Sequence, residues 1–201
     1  MKLSKEETHK VETAEDLHKA VDHIPSSVYF PEEEMWFRRL RSLEGNPIIV
    51  DFGCGHGRSA SALALACPQG HVYTFDTGKP YINDGCSPEQ YDAETRKFIA
   101  DSGATNVTFT RENSLEKEWD REIDVLNDDS DHTYPTTKAE IERWVPFVKK
   151  GGLVFLHDWE HVRCPGVKQA MTEYLEEHKN LELLEVTEWS GGVKCACFKK
   201  L

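Results

Sequence analysis

The sequence predicts an α/β fold on a mostly parallel sheet, and three observations carry the prediction. Short β-rich runs alternate with helix-patterned segments from residue 47 to about residue 180, as expected of strands joined by helical crossovers. The first run ends in a glycine-rich turn, IIVDFGCGHGRSA, over residues 48–60. The last two runs are linked by EWSGG, which is too short for a crossover and therefore implies an antiparallel hairpin.

Taken in order, the chain opens with two helical segments that have no strand to serve. One runs from the capping residue Thr13 to about Asp22. The other, PEEEMWFRRLRSL over 31–43, places acids in its first turn and arginines in its last, matching the helix dipole. Residues 1–46 are thus expected to form an N-terminal helical segment, either a cap over the open edge of the sheet or plain packing against it, with residues 47–201 as the main domain. The strands expected there are PIIVDF (47–52), HVYTFD (71–76), NVTFT (106–110), IDVLNDD (123–129) and GLVFLH (152–157). LELLEVT (181–187) and VKCACFK (193–199) complete a seven-strand mixed sheet.

Between the strands, RSASALALA opens a helix near Arg58. In CSPEQYDAETRKFIADSG, Ser87 caps, Pro88 takes the first helical position, Gln90 completes a capping box and Gly103 supplies the stop. In TTKAEIERWVPFVKKGG, the apolar Ile141, Trp144, Val145 and Val148 fall at helical spacing, and the internal proline predicts a kink. PGVKQAMTEYLEEH repeats the stripe with Val167, Ala170, Met171, Tyr174 and Leu175. These stripes predict core.

Composition narrows the function. The 201 residues suffice for one domain, with 38% hydrophobic and 30% charged residues. No stretch approaches the roughly 18–20 apolar residues of a membrane span, and the charged N-terminus lacks the apolar region of a secretory signal; a cytoplasmic location is expected. A net charge of −12 repels nucleic acid and anionic membrane and favours small or neutral substrates. The six cysteines, at 54, 67, 86, 164, 195 and 197, form no regular framework and are expected as free thiols, with Cys195 and Cys197 on one face of a strand.

A strand that ends in glycines and opens into a helix presents bare backbone amides to a ligand. The spacing of Gly53, Gly55 and Gly57 is not the G-x-G-x-x-G of dinucleotide folds, because the third glycine comes one residue early. Asp51 would repel a pyrophosphate and pair with an ammonium group, so a cationic ligand is expected. Asp76 closes the next strand, where it would accept hydrogen bonds from ribose hydroxyls.

On these residues the chain resembles the class I S-adenosylmethionine-dependent methyltransferases. The resemblance implies a Rossmann-like sheet of order 3-2-1-4-5-7-6 with helices on both faces. It further implies that Asp51 to Gly57 wrap the methionine end of the cofactor and that Asp76 holds its ribose. RENSLE over 111–116 is similar to the family's GDSLE, which implies Asn113 and Ser114 beside the adenine.

Acids also gather on neighbouring strand ends. DVLNDDSDHTY over 124–134 holds Asp128, Asp129, Asp131 and His132, and GLVFLHDWEH over 152–161 holds His157, Asp158 and Glu160. Adjacent strands stand about 5 Å apart, so Asp129 and Asp158 converge if these two are neighbours, and such carboxylates suit a hard cation such as magnesium. Here the chain resembles more narrowly the small metal-dependent O-methyltransferases of the macrolide and aminocoumarin sugar type, with their IDGDHSY and later HD or DD pair. The resemblance implies Asp129 and Asp158 as metal ligands, His157 as a further ligand of weaker claim, and Asp131 as general base. His132 is the alternative base, or else orients the loop. A zinc set of His157, His161 and Cys164 is disfavoured, because Pro165 and Gly166 follow at once and no fourth ligand is evident.

The expected activity is metal-assisted O-methylation of a small-molecule hydroxyl, with S-adenosylmethionine as donor and magnesium as cation. The aromatics Tyr29, Phe30, Trp36 and Phe37 are expected in the acceptor pocket or in the core. A metal-independent methyltransferase acting on nitrogen or a macromolecule, a nicotinamide oxidoreductase and a non-catalytic cofactor-binding protein are the alternatives. An oligomer is left open.

Overall fold

A computed structural model describes residues 11–78, 87–188 and 192–201. Cys86 and part of the EWSGG link lie outside the described residues. The helices are α1 (Ala14–Val21), α2 (Phe30–Leu40), α3 (Arg58–Ala66), α4 (Pro88–Asp101), α5 (Tyr134–Trp144) and α6 (Pro165–His178). The strands are β1 (Ile48–Phe52), β2 (His71–Asp76), β3 (Val107–Arg111), β4 (Ile123–Asp128), β5 (Val148–Leu156), β6 (Leu181–Val186) and β7 (Ala196–Lys200).

They form one seven-stranded sheet of order β3-β2-β1-β4-β5-β7-β6, as the family resemblance implies. The strands from β1 to β5 pair in parallel, and β7 runs antiparallel between β5 and β6. The order reverses between β1 and β4, so a crevice opens beyond their C-terminal ends, where open α/β sheets take their ligands. Phe52 pairs with Asp128, and Asp128 in turn with Leu156. The residues that follow each strand therefore meet at one rim.

Local chemistry sets the helix starts. Thr13 and Asp16 close one capping box, Ser87 and Gln90 another, and Gly103 follows α4 at φ 84°. One predicted helix is shorter than its apolar pattern. α5 stops at Trp144, Pro146 sits in a three-residue 3-10 turn, and Val148 is already the first residue of β5, opposite Ile123. Proline lacks the amide that would continue the helical ladder, so it ends the helix where a kink was predicted.

The core has two parts. Leu17, Val21, Met35, Trp36 and Leu40 of α1 and α2 join Leu63 of α3 and Ile49 of β1 in one cluster. The other packs α5 and α6 against the opposite face, with Phe52, Phe75 and Trp144 in mutual ring contact. Cys195 and Cys197 share the first cluster while Ala196 and Phe198 face the second, the alternation of a strand. The described cysteines are free thiols. No helix among the described residues is long and apolar enough to cross a membrane.

Candidate active site

The glycine turn is shaped first by the protein. A Cβ on Gly53 would stand 2.0 Å from the Asp129 carbonyl oxygen, and one on Gly57 would stand 2.7 Å from the Ile99 side chain. Only Gly55 has open space, its nearest neighbour being the Tyr91 hydroxyl at 3.7 Å. All three adopt positive φ, which side chains resist. Two of the three glycines are thus explained by close approach to β4 and α4, where the sequence suggested a ligand.

Asp51 is likewise turned inward. It is fully buried and accepts hydrogen bonds from Ser59 Oγ at 3.0 Å, Thr74 Oγ1 at 2.8 Å and Asn127 Nδ2 at 2.7 Å. Burial pushes its carboxyl up to about 6 against the pull of these three donors. Through these bonds Asp51 ties β1 to β2, β4 and the start of α3 behind the turn.

In front of the turn lies a cavity of about 410 Å³. Gly53, Gly55, Asp76, Asn113 and Ser114 line it, and so do Asp129, Asp131 and His132. Asp51, Gly57, His157 and Asp158 are not among its lining residues. Asp76 accepts from the amides of Gly55 at 2.9 Å and Gly78 at 2.7 Å, which fixes the turn relative to β2. Burial raises its carboxyl above the ordinary value, with those two amides opposing. Asn113 Oδ1 accepts from the Leu115 amide at 3.0 Å, and Ser114 Oγ donates to Glu140.

His56 was not singled out from the sequence, although it sits inside the glycine motif. Its ring packs 4.8 Å from that of Tyr91, it lines the cavity, and its buried Nδ1 has no hydrogen-bond partner among the described residues. Pro25, Ser26 and Ser27 bring the N-terminal segment to the same cavity. The four N-terminal aromatics do not line it; Trp36 is core, edge-on to Phe155.

At the strand ends two carboxylates and two imidazoles interleave. His132 Nε2 stands 3.5 Å from Asp129 and 3.6 Å from Asp158, and His157 Nε2 stands 3.7 Å from each. The other nitrogen of His157 is 3.0 Å from Glu32 of α2, both side chains being 2% exposed. Burial opposes a charge on His157, yet Asp129, Glu32 and Asp158 outweigh it and lift the imidazole to about 10. His132 goes the other way: burial lowers it below its ordinary value against the pull of Asp158.

Asp131 sits in a hydrogen-bonded turn. Its oxygens accept from the Thr133 amide and Thr136 Oγ1, both at 2.9 Å, in the turn that starts α5. These bonds overcome its modest burial and hold the carboxyl below its ordinary value.

A further set of donors adjoins Asp158. His161 Nδ1 is 3.6 Å from Asp158 Oδ1, Cys164 Sγ is 3.1 Å from Asp158 Oδ2, and His161 Nδ1 is 3.5 Å from Cys164 Sγ. Burial and then the Asp158 carboxylate push the thiol up to about 12. His132, Asp158 and Glu160 all take positive φ, at 58°, 55° and 62°, a strain that folded chains keep where geometry is constrained. Asp129 and Asp158 are the oxygen donors that a divalent cation takes, whereas the imidazoles beside them are foreign to magnesium.

The family model described as a methyltransferase domain matches residues 50–159. No curated protein sequence matches the chain. Among solved structures, the O-methyltransferase from Bacillus cereus in complex with S-adenosylhomocysteine is similar at TM-score 0.66 and 16% identity, over 93% of this chain and 90% of that one. An rRNA methylase from Streptococcus thermophilus gives 0.63 at 18% identity, over 88% and 99% respectively. TrmN from Thermus thermophilus gives 0.63 at 19% identity, over 92% of this chain and 52% of that one. At such identities the likeness is one of fold.

Proposed function

Because the chain belongs to the methyltransferase-domain family and is an S-adenosylmethionine-dependent methyltransferase, we propose that it methylates a hydroxyl oxygen of a small molecule with the help of a divalent cation. The observation that carries this reading is the shared cavity, walled on one side by the glycine turn and Asp76 and on the other by Asp129, Asp131 and His132.

In this reading the methionine end of the donor lies over Gly53 and Gly55, its ribose meets Asp76, and its adenine lies by Asn113 and Ser114. Asp51 acts through the turn that it braces. The unpartnered Nδ1 of His56 offers the donor a further hydrogen bond. Asp129 and Asp158 would hold the cation, with His157 beside them; when bound it lowers the pKa of the acceptor hydroxyl and fixes the oxygen.

The neutral ring of His132 takes the hydroxyl proton. The acceptor oxygen then attacks the sulfonium methyl in line, the sulfur–carbon bond breaks, and S-adenosylhomocysteine leaves. Positioning supplies most of the acceleration, since the acceptor and the methyl group are held in one cavity. Asp131 shapes the loop that carries His132.

The net charge of −12 supports a small acceptor over RNA. The test is a panel of hydroxylated small molecules and a structured RNA, scored for S-adenosylhomocysteine formation with and without chelator. Turnover of a small hydroxyl compound that the chelator abolishes is the expected result. Turnover of the RNA, or turnover indifferent to chelator, would overturn it.

A further inference from the structure

The donor set beside the carboxylates is unsuited to magnesium. That ion prefers six oxygens in an octahedron, whereas imidazole and thiolate select borderline ions such as zinc. We infer that the cation of this centre is a zinc-class transition ion, held by Asp158 together with His161 and Cys164 in place of Asp129, with a fourth position open towards His132.

The geometry fits. With metal bonds of roughly 2.0–2.3 Å, neighbouring ligand atoms of a tetrahedral zinc stand about 3.3–3.8 Å apart. Here His161 Nδ1 stands 3.5 Å from Cys164 Sγ, and the Asp158 carboxylate spans the two, with Oδ1 3.6 Å from His161 Nδ1 and Oδ2 3.1 Å from Cys164 Sγ. The three donors come from one turn of seven residues, Asp158 to Cys164, and the turn closes only because Asp158 and Glu160 accept left-handed backbone. Pro165 and Gly166, which seemed in the sequence to forbid such a site, begin α6 immediately beyond the last ligand and leave the turn intact.

The remaining position is furnished too. His132 Nε2 stands 3.6 Å from Asp158 Oδ2 and lines the cavity, so it links the ligand turn to the cavity wall. Three protein ligands with one open position is the arrangement of catalytic zinc; structural zinc closes all four. His157, held by Glu32, lies on the other flank of the same carboxylate.

This inference rests on the metal-assisted reading above, but its test measures coordination and not turnover, so the two fail separately. Cobalt(II) is added to the chelator-stripped chain and the absorption recorded for the wild type, Cys164→Ser, His161→Gln and Asp129→Asn. The wild type is expected to show strong tetrahedral d–d bands and a thiolate-to-cobalt charge-transfer band. Cys164→Ser should lose the charge-transfer band, His161→Gln should weaken cobalt binding at least about tenfold, and Asp129→Asn should keep the band. Weak six-coordinate bands that are the same in wild type and Cys164→Ser would overturn the inference, as would a failure to bind cobalt. Chelator-sensitive turnover in a protein with only six-coordinate bands would leave the methyl-transfer reading standing while removing the zinc-class ion.

Discussion

Among single residues, Gly53 is the least replaceable position of the turn. Its φ of 73° already disfavours a side chain, and an added Cβ would fall 2.0 Å from a backbone oxygen that cannot rotate aside. Gly53→Ala is expected to abolish the cooperative thermal transition or lower its midpoint steeply. Gly55→Ala, with nothing nearer than 3.7 Å, should cost only about 1–2 kcal/mol for its left-handed backbone. Thermal melts of the pair separate packing from conformation. The two base candidates divide in a similar way. Once an acceptor is in hand, His132→Asn should lower kcat by about 10²–10⁴-fold, while Asp131→Asn, which loosens a turn and leaves the imidazole in place, should cost no more than about tenfold; kcat under saturating acceptor decides between them. Most of this chemistry was legible because the acids fall at the ends of successive strands. Glu32 was not, since it lies 125 residues from the His157 it holds and only the fold brings the two together.

Among the elements, α5 shows how a buried acid links three segments. Glu140 accepts from Ser114, which follows β3, and from Ser130, which follows β4. Burial, then the nearby Asp128, pushes its carboxyl from the ordinary 4.5 up to about 9. The folded chain therefore keeps a proton that the unfolded chain has released, and the stability this supplies is fullest below the unfolded value and is lost as pH rises towards 9. Urea denaturation should accordingly give a lower midpoint at pH 9 than at pH 6 for the wild type. In Glu140→Gln, which cannot ionise, that difference should shrink; an equal drop in both proteins would refute the assignment. The sequence showed α5 as an amphipathic stripe and predicted its core residues Ile141 and Trp144. It could not show where the stripe changed element, because Val148 satisfies helical spacing and strand burial alike, and the pairing with Ile123 decides.

Across the whole molecule, the N-terminal segment is fastened to the sheet by charge as well as by apolar packing. Arg58, the first residue of α3, reaches Glu33 of α2 through Nε and Nη2, each at 2.8 Å, and His18 of α1 stands 2.6 Å from the other oxygen of the same carboxylate. Glu33 is wholly buried and Arg58 nearly so. A cation at a helix N-terminus opposes the helix dipole, so Arg58 is tolerated there because Glu33 faces it. Removing one partner strands the other charge in the core, which typically costs about 3–5 kcal/mol, whereas replacing both by apolar side chains of similar volume is often neutral. Arg58→Met alone is therefore expected to lose about that much stability in urea denaturation, and Arg58→Met with Glu33→Leu to recover most of it. Glu33 adjoins Glu32, whose carboxylate holds His157, so the single variant should also weaken cobalt binding at the proposed metal centre while the double variant restores it. A double variant as unstable as the single one would mean that the ion pair stabilises the fold in its own right, beyond neutralising two buried charges.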